Sequence, residues 1–406
     1  MRDNAHTEEV DMQHKPLAGI RVLEFGGYIS GPYATSFLCS LGADVIKIER
    51  PGGGDDFRRG ADADSFYFRQ YNSGKRSVAV DLKTAEGIAL VKALVPTADV
   101  VLENLRPGKM DALGLGRADL TALRPDLVYT SVTGFGSSGD MAARPAYDMI
   151  GQAFGGLVST LSNAGDARLT GTCLADLITG LSTATGILAA LVGRAHHGGG
   201  RHVETSISEA VSTLTIDAMT QFFDSGRAPT RQSRHPQAQN FCLRTSSGEF
   251  IVLHLSSSQK FWESLVAALG RPALLEDRRF ARFADRETHY FELEPILEAE
   301  FARRPAAEWE QLLIAHDVPF APVLDVDGFR RHPQVEALGL YEPEQDGLAL
   351  TRVPWRFDSE RPHRHPEAPR VGEHSVDVAC EVYPADRVRD LVDRGVLALP
   401  RDPVHA

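Results

Sequence analysis

Histidine is missing from a long stretch of this chain: between His14 and His196 there is none. That stretch lacks the commonest general base, which excludes a Ser-His-Asp or Cys-His arrangement built within it and a histidine-ligated metal there. Cysteine is scarce as well. Cys39, Cys173, Cys242 and Cys380 lie far apart with no CxxC or metal-ligand spacing, so reduced thiols are expected rather than disulfides or zinc. No run of about 18 or more apolar residues occurs, and the opening MRDNAHTEEVDMQHK has no apolar signal core. A cytoplasmic location with no membrane partner is therefore expected. Positive charge is outweighed: 43 Lys and Arg face 55 Asp and Glu, a formal charge of −12, which argues against a nucleic-acid or anionic-membrane partner. A phosphorylated small ligand stays open, because it needs only a local cluster of cations. The GxGxxG fingerprint is also missing. FGGYISGPY has the wrong spacing and PGGGDD opens no helix, so a nicotinamide cofactor is not expected.

What is present is an alternation of short β-branched runs with helical patterns. IRVLEF, ADVIKIER, SVAVDL, DVVLENL and LVYTSVTGF read as strands; GPYATSFLCSLG and TAEGIALVKALV read as the helices between them. The 406 residues suffice for two domains. The rhythm predicts an α/β fold, a Rossmann-like parallel sheet over residues 1–223 with ligands gathering at the strand carboxyl ends. DSGRAPTRQSRHPQ, residues 224–237, reads as a linker. Residues 238–325 change texture and predict a small α+β domain. The remaining 326–406 begin as a linker, rich in Pro and charge over 342–372, and end in a helix, YPADRVRDLVDRGVL.

Chemistry is sparse but patterned. Lys47 and Arg50, Lys75 and Arg76, and Arg106 and Lys109 fall near predicted strand ends, where they would face one edge of the sheet and hold a ligand with several phosphates. Arg50, Arg76 and Arg106 are the best phosphate candidates on physical grounds. His196, His197 and His202 flank a GGG and read as a surface loop. In LADLITG a single carboxylate, Asp176, stands among apolar neighbours. Leu181, Ala184, Ile187, Leu188 and Leu191 then recur at helical spacing, which places Asp176 in the first turn of a helix. There it is either a cap on unpaired backbone N–H groups or a reactive group.

In order, PLAGIRVLEFGGYISGPYATSFLCSLGADVIKIERPGGGD, NSGKRSVAVDLKTAEG, DVVLENLRPGKMDALGLG, YTSVTGFG, AYDMIGQAFGG, LADLITG and GRHVETSISEA resemble the class III coenzyme A transferases. That family includes formyl-CoA and carnitine CoA-transferases, with the alpha-methylacyl-CoA racemases as relatives. The resemblance covers most of residues 16–215 and continues through DVPFAPVLDVDGF and VGEHS. It implies an interlocked homodimer whose large domain is completed by the C-terminal segment. It also implies that CoA is a substrate or carrier rather than a tightly bound cofactor, that acyl-CoA and small carboxylic acids are the partners, and that Asp176 is the nucleophile. By positional match the CoA contacts would be Tyr28, Ile29, Ser30, Arg50, Val80, Asn104, Leu105 and Leu113. Asn104 has two readings: a turn residue ending a strand, or an amide that holds the pantetheine or thioester carbonyl.

The departures bear on substrate. RQSRHPQAQNFC has no glycine where formyl-CoA:oxalate enzymes carry a run of them, which disfavours formate or oxalate. The racemases carry His where this chain has Tyr147 before Asp148, and a group titrating at about 10 is a poor proton shuttle at neutral pH. Racemisation is the runner-up. Intramolecular transfer within one diacid, and CoA binding without turnover, complete the alternatives.

Overall fold

The computed structural model describes residues 15–62, 65–256 and 258–400. Six strands build the main sheet in parallel: β1 Arg21–Phe25, β2 Asp44–Glu49, β3 Arg76–Val80, β4 Val100–Glu103, β5 Val128–Thr133 and β6 Arg201–Ser206. Their spatial order is β3-β2-β1-β4-β5-β6. Successive residues of a strand point to opposite faces, and here both faces are covered. Leu23, Ile46 and Val101 face the helix Ala85–Leu94, which buries Leu90, Val91 and Leu94 against them. Val22, Val45, Val100 and Leu102 face the helices Ser30–Ser40 and Leu174–His197 through Ala34, Leu38, Ile187 and Leu191. The order in which strands are added reverses between β1 and β4, so the strand carboxyl ends open a crevice there.

Leu174–His197 is long and apolar enough to cross a membrane by length and composition alone. Its apolar stripe instead forms part of this core. Gly180 allows the close approach to Ser30–Ser40, since a Cβ there would come within 2.8 Å of the Tyr33 ring and 2.9 Å of the Ser30 carbonyl.

The C-terminal segment returns to the same unit. Val378 and Leu391, from the helices Ser375–Cys380 and Ala385–Asp393, join the core under β3, and the Ser375 hydroxyl accepts from the Ala79 N–H at 3.0 Å. The expected last helix is shorter than its apolar pattern. Gly395 at φ +69° ends it, and Leu397–Ala398 become β10, antiparallel to β3 through Leu397 with Val80 and Ala398 with Ala79. The tail thus pairs the edge that β3 would otherwise expose.

The chain divides into two compact units. Among the described residues, the first holds those up to 158, 169–216 and those from 339 on; the second holds 159–168 and 217–338. The crossings at 216/217 and 338/339 differ from the expected linker at 224–237 and break after 325, because the helix Ile216–Ser225 runs through the first expected boundary. Within the second unit, β7 Asn240–Arg244, β8 Phe250–His254 and β9 Phe320–Pro322 form an antiparallel sheet. Phe241, Leu253, Trp262, Leu293 and Trp309 make its core.

Candidate active site

A cavity of about 540 Å³ opens at the carboxyl ends of the strands on both sides of the β1–β4 reversal. Its size suits a small-molecule site. Tyr28, Ser30, Arg50 and Val80 line one part of it; Asn104, Leu105, Arg106, Leu113 and Asp176 line the rest. Ile29 does not line it. It is buried at the start of the helix Ser30–Ser40.

The cation pattern needs correction. Arg76 is the first residue of β3, at the amino end, where it pairs with Asp44 at 2.6 Å and Glu381 at 3.0 Å, away from the cavity. Lys47 and Lys75 are wholly buried and bind Glu24 at 2.7 and 2.8 Å. Between them they hold the Glu24 carboxyl down at about 2 despite its burial. The sequence places these cations near strand ends, and the fold decides which end each one occupies. On the cavity's rim stand Arg50, which pairs with the exposed Asp56, and Arg106, with Lys83 and Arg144 as additions that the strand pattern did not single out. Lys83 lies three residues past the carboxyl end of β3, a position that strand direction signals in the sequence; Arg144 comes from the irregular loop after β5 and has no such signal.

Asp176 is the third residue of its helix and lines the cavity. It is not the cap. Asp148, which opens the helix Asp148–Phe154, accepts through Oδ1 from the backbone N–H groups of Ala175 at 2.9 Å and Asp176 at 3.1 Å. Its Oδ2 accepts from Gln152 Nε2 at 2.6 Å. The helix Asp148–Phe154 packs tightly on the helix Ile207–Leu214 because residue 151 is glycine: a Cβ there would lie 2.0 Å from Ile207 Cγ2, and 3.4 Å from Ala175 Cβ. Burial, and then the Asp148 charge, push the Asp176 carboxyl up to about 7. The helix dipole favours the ionised form there, but desolvation and the second carboxylate outweigh it. The result is a carboxylate more basic than an exposed aspartate, facing open space.

Asn104 ends a strand, as the first of its sequence readings has it. It follows β4, and its amide pairs with the backbone of Gly27: Oδ1 accepts from Gly27 N at 2.9 Å and Nδ2 donates to Gly27 O at 2.9 Å. Tyr147, at the cavity wall, meets Tyr28 edge-on with ring centroids 5.8 Å apart. Among the described residues that line the cavity there is no histidine.

Of the three histidines expected in one loop, His196 and His197 end their helix. His202 lies in β6, half-buried, with Nε2 3.2 Å from Ser131 Oγ. It lines a second cavity of about 530 Å³ with Glu103, whose carboxyl burial raises to about 7.

A doubly wound sheet, cations at the carboxyl ends of its strands and an under-solvated carboxylate thus meet at one cavity. The chain belongs to CoA-transferase family III, whose model matches residues 17–375. It is 32% identical over 395 residues to the succinate–glutarate CoA-transferase of Agrobacterium fabrum, covering 92% of this chain and 97% of that protein. It is 33% identical over 373 residues to the acetyl-CoA:oxalate CoA-transferase of Acetobacter aceti, covering 90% and 95%. Among solved structures, a CAIB/BAIF family protein from Brucella suis superposes with a TM-score of 0.80 at 32% identity, over 91% of this chain and 100% of that one. The protein is a CoA-transferase.

Proposed function

We propose that this enzyme moves CoA from an acyl-CoA thioester to a carboxylic acid through covalent intermediates on Asp176. The carboxylate oxygen of Asp176 attacks the thioester carbonyl; the C–S bond breaks and CoA thiolate leaves, giving a mixed anhydride. The thiolate attacks the aspartyl carbonyl and expels the donor acid, giving an aspartyl-CoA thioester. The acceptor carboxylate then attacks that thioester, and the released thiolate takes the acceptor's acyl group and frees Asp176. No step requires net proton transfer, which accords with a cavity wall free of histidine. Ile207, Ala146 and the paired rings of Tyr28 and Tyr147 would keep water from the anhydride.

The observation that carries this reading is the division of labour between two carboxylates. Asp148 caps the helix, and Asp176 is left poorly solvated and facing the cavity. Arg50, Lys83 and Arg106 supply charge for the CoA phosphates. The donors and acceptors named for the relatives make small mono- and dicarboxylic acids the first set to try. Racemisation is disfavoured by Tyr147 where a histidine would be needed. An interlocked homodimer in the cytoplasm completes the reading; the apolar exposure of Ile216, Met219, Phe222 and Phe223 on one short helix supports an assembly that covers them.

The test is mass spectrometry of the enzyme incubated with succinyl-CoA or acetyl-CoA, followed by hydroxylamine or borohydride trapping. An adduct on Asp176 is expected. Turnover with a donor and acceptor and no adduct at Asp176 would sink the covalent route. Product from one diacyl-type CoA ester without added acid would mark intramolecular transfer instead.

A further inference from the structure

The turn after β1 is held in a shape its sequence disfavours. Tyr28 sits at φ +60°, a left-handed conformation in which the Cβ of an L residue crowds the following carbonyl. Such strain persists where the surroundings over-determine it. Here side chains from three other segments do so. Asn104 grips both the N–H and the carbonyl of Gly27, each at 2.9 Å. Asp55 Oδ1 accepts from Tyr28 N at 3.2 Å and from Phe57 N at 2.9 Å. Lys47 stands 2.9 Å from Asp55 Oδ2 and donates to the Gly26 carbonyl at 2.6 Å. Gly26, Gly27 and Tyr28 are each tied through the backbone.

The tying has a visible product. The Tyr28 ring, 42% exposed, stands in the cavity wall with one edge contact to Tyr147 and another ring, Phe57, at 5.9 Å behind it. Asn104 has both ends of its amide engaged on Gly27, and its nearest further partner is Ser30 Oγ at 3.5 Å. These two bonds fix the plane of the amide on the turn, leaving one N–H and one lone pair beyond them.

We propose that Asn104 is a positioning residue for CoA: it acts through the Gly27–Tyr28 turn, fixing the Tyr28 ring as a wall of the cavity, rather than by holding the ligand. This rests on the reading of the cavity as the CoA site. The Glu103 carboxylate completes the device, since it accepts from Leu105 N at 2.9 Å and so bends the chain that presents Asn104.

The test is a double-mutant cycle on the full-length enzyme, with CoA itself as the titrant in calorimetry. Asn104→Ala in the wild-type background should weaken CoA binding about tenfold. In a Tyr28→Gly background, where glycine takes the positive φ freely and the ring is gone, the same change should cost about twofold or less. Equal losses in both backgrounds would show Asn104 acting on the ligand directly and overturn the proposal, as would unchanged binding in the single variant. Asn104→Asp, near in size, keeps the acceptor for Gly27 N and loses the donor to Gly27 O. It answers the same question if the alanine variant does not fold. A wild-type enzyme that binds no CoA would remove the reading of the cavity and the proposal together; binding with additive losses would remove the proposal alone.

Discussion

Asp148 caps the helix that begins just before Asp176, accepting from the Ala175 and Asp176 N–H groups at 2.9 and 3.1 Å, and thereby places a second negative charge beside the Asp176 carboxylate. One carboxylate organises the backbone and raises the affinity of the other for its proton. The arrangement separates holding from reacting.

That separation predicts the pH dependence. With Asp176 titrating at about 7, kcat/KM for an acyl-CoA should rise as pH increases through that value, because only the ionised form attacks. Asp148→Asn keeps an oxygen for the two N–H groups and removes the charge, so the rising limb should move to lower pH. Glu103 also titrates at about 7, and Glu103→Gln distinguishes the two: the limb should stay where it is. A limb that follows Glu103 and ignores Asp148 would reject the assignment.

Asp176→Asn and Asp176→Ala should fold, bind CoA and transfer nothing measurable, since neither side chain forms an anhydride. Stability makes a second, opposite prediction. The folded carboxyl is raised from 3.8 to about 7, so its contribution is fully present below the lower value and is lost as pH rises through the upper one. Asp176→Asn escapes that loss. Its stability advantage over the wild type should grow between about pH 4 and 7 and then level off at about 1–3 kcal/mol, reduced from the full linkage value because the side chain is partly exposed. Denaturant melts across pH measure it; a simple cap would show no such pH dependence.

The rim cations divide into two groups. Lys83→Ala and Arg106→Ala should each raise KM for acyl-CoA about tenfold with little change in kcat, more steeply at low salt. Arg76→Ala should leave that KM alone and lower stability, because it breaks the pairs with Asp44 and Glu381 at the far end of β3. Steady-state kinetics beside thermal melts separate these outcomes.

Gly151→Ala should cost about 1–3 kcal/mol, since its new methyl would meet Ile207 Cγ2 and the helix Asp148–Phe154 must shift to make room. The same shift withdraws the Asp148 cap from Asp176, so kcat should fall more than KM rises. An alanine variant with full kcat would show that the cap tolerates displacement.

The sequence by itself determined the alternation of strands and helices, the parallel sheet, and Asp176 in the first turn of an apolar helix. These depend on periodicity and on neighbours within a few residues, which a linear reading contains. It also carried the family motifs that led to Tyr28, Arg50 and Asn104 and the cation pattern that led to Arg106, all of which the structure gathers at one cavity. Only the tertiary structure decided what each group does there. Asp148 lies 27 residues before Ala175, the first N–H group it caps, and that cap exists only because the fold brings the two helices together. Arg76 and Arg50 look alike in sequence, but parallel register sends one to the amino edge and the other to the carboxyl edge. Asn104 grips Gly27 across 77 residues because β4 lies beside β1 in the sheet. Contacts between distant segments, and the desolvation that follows from them, have no local signature, and it is they that turn an ordinary aspartate into a candidate nucleophile.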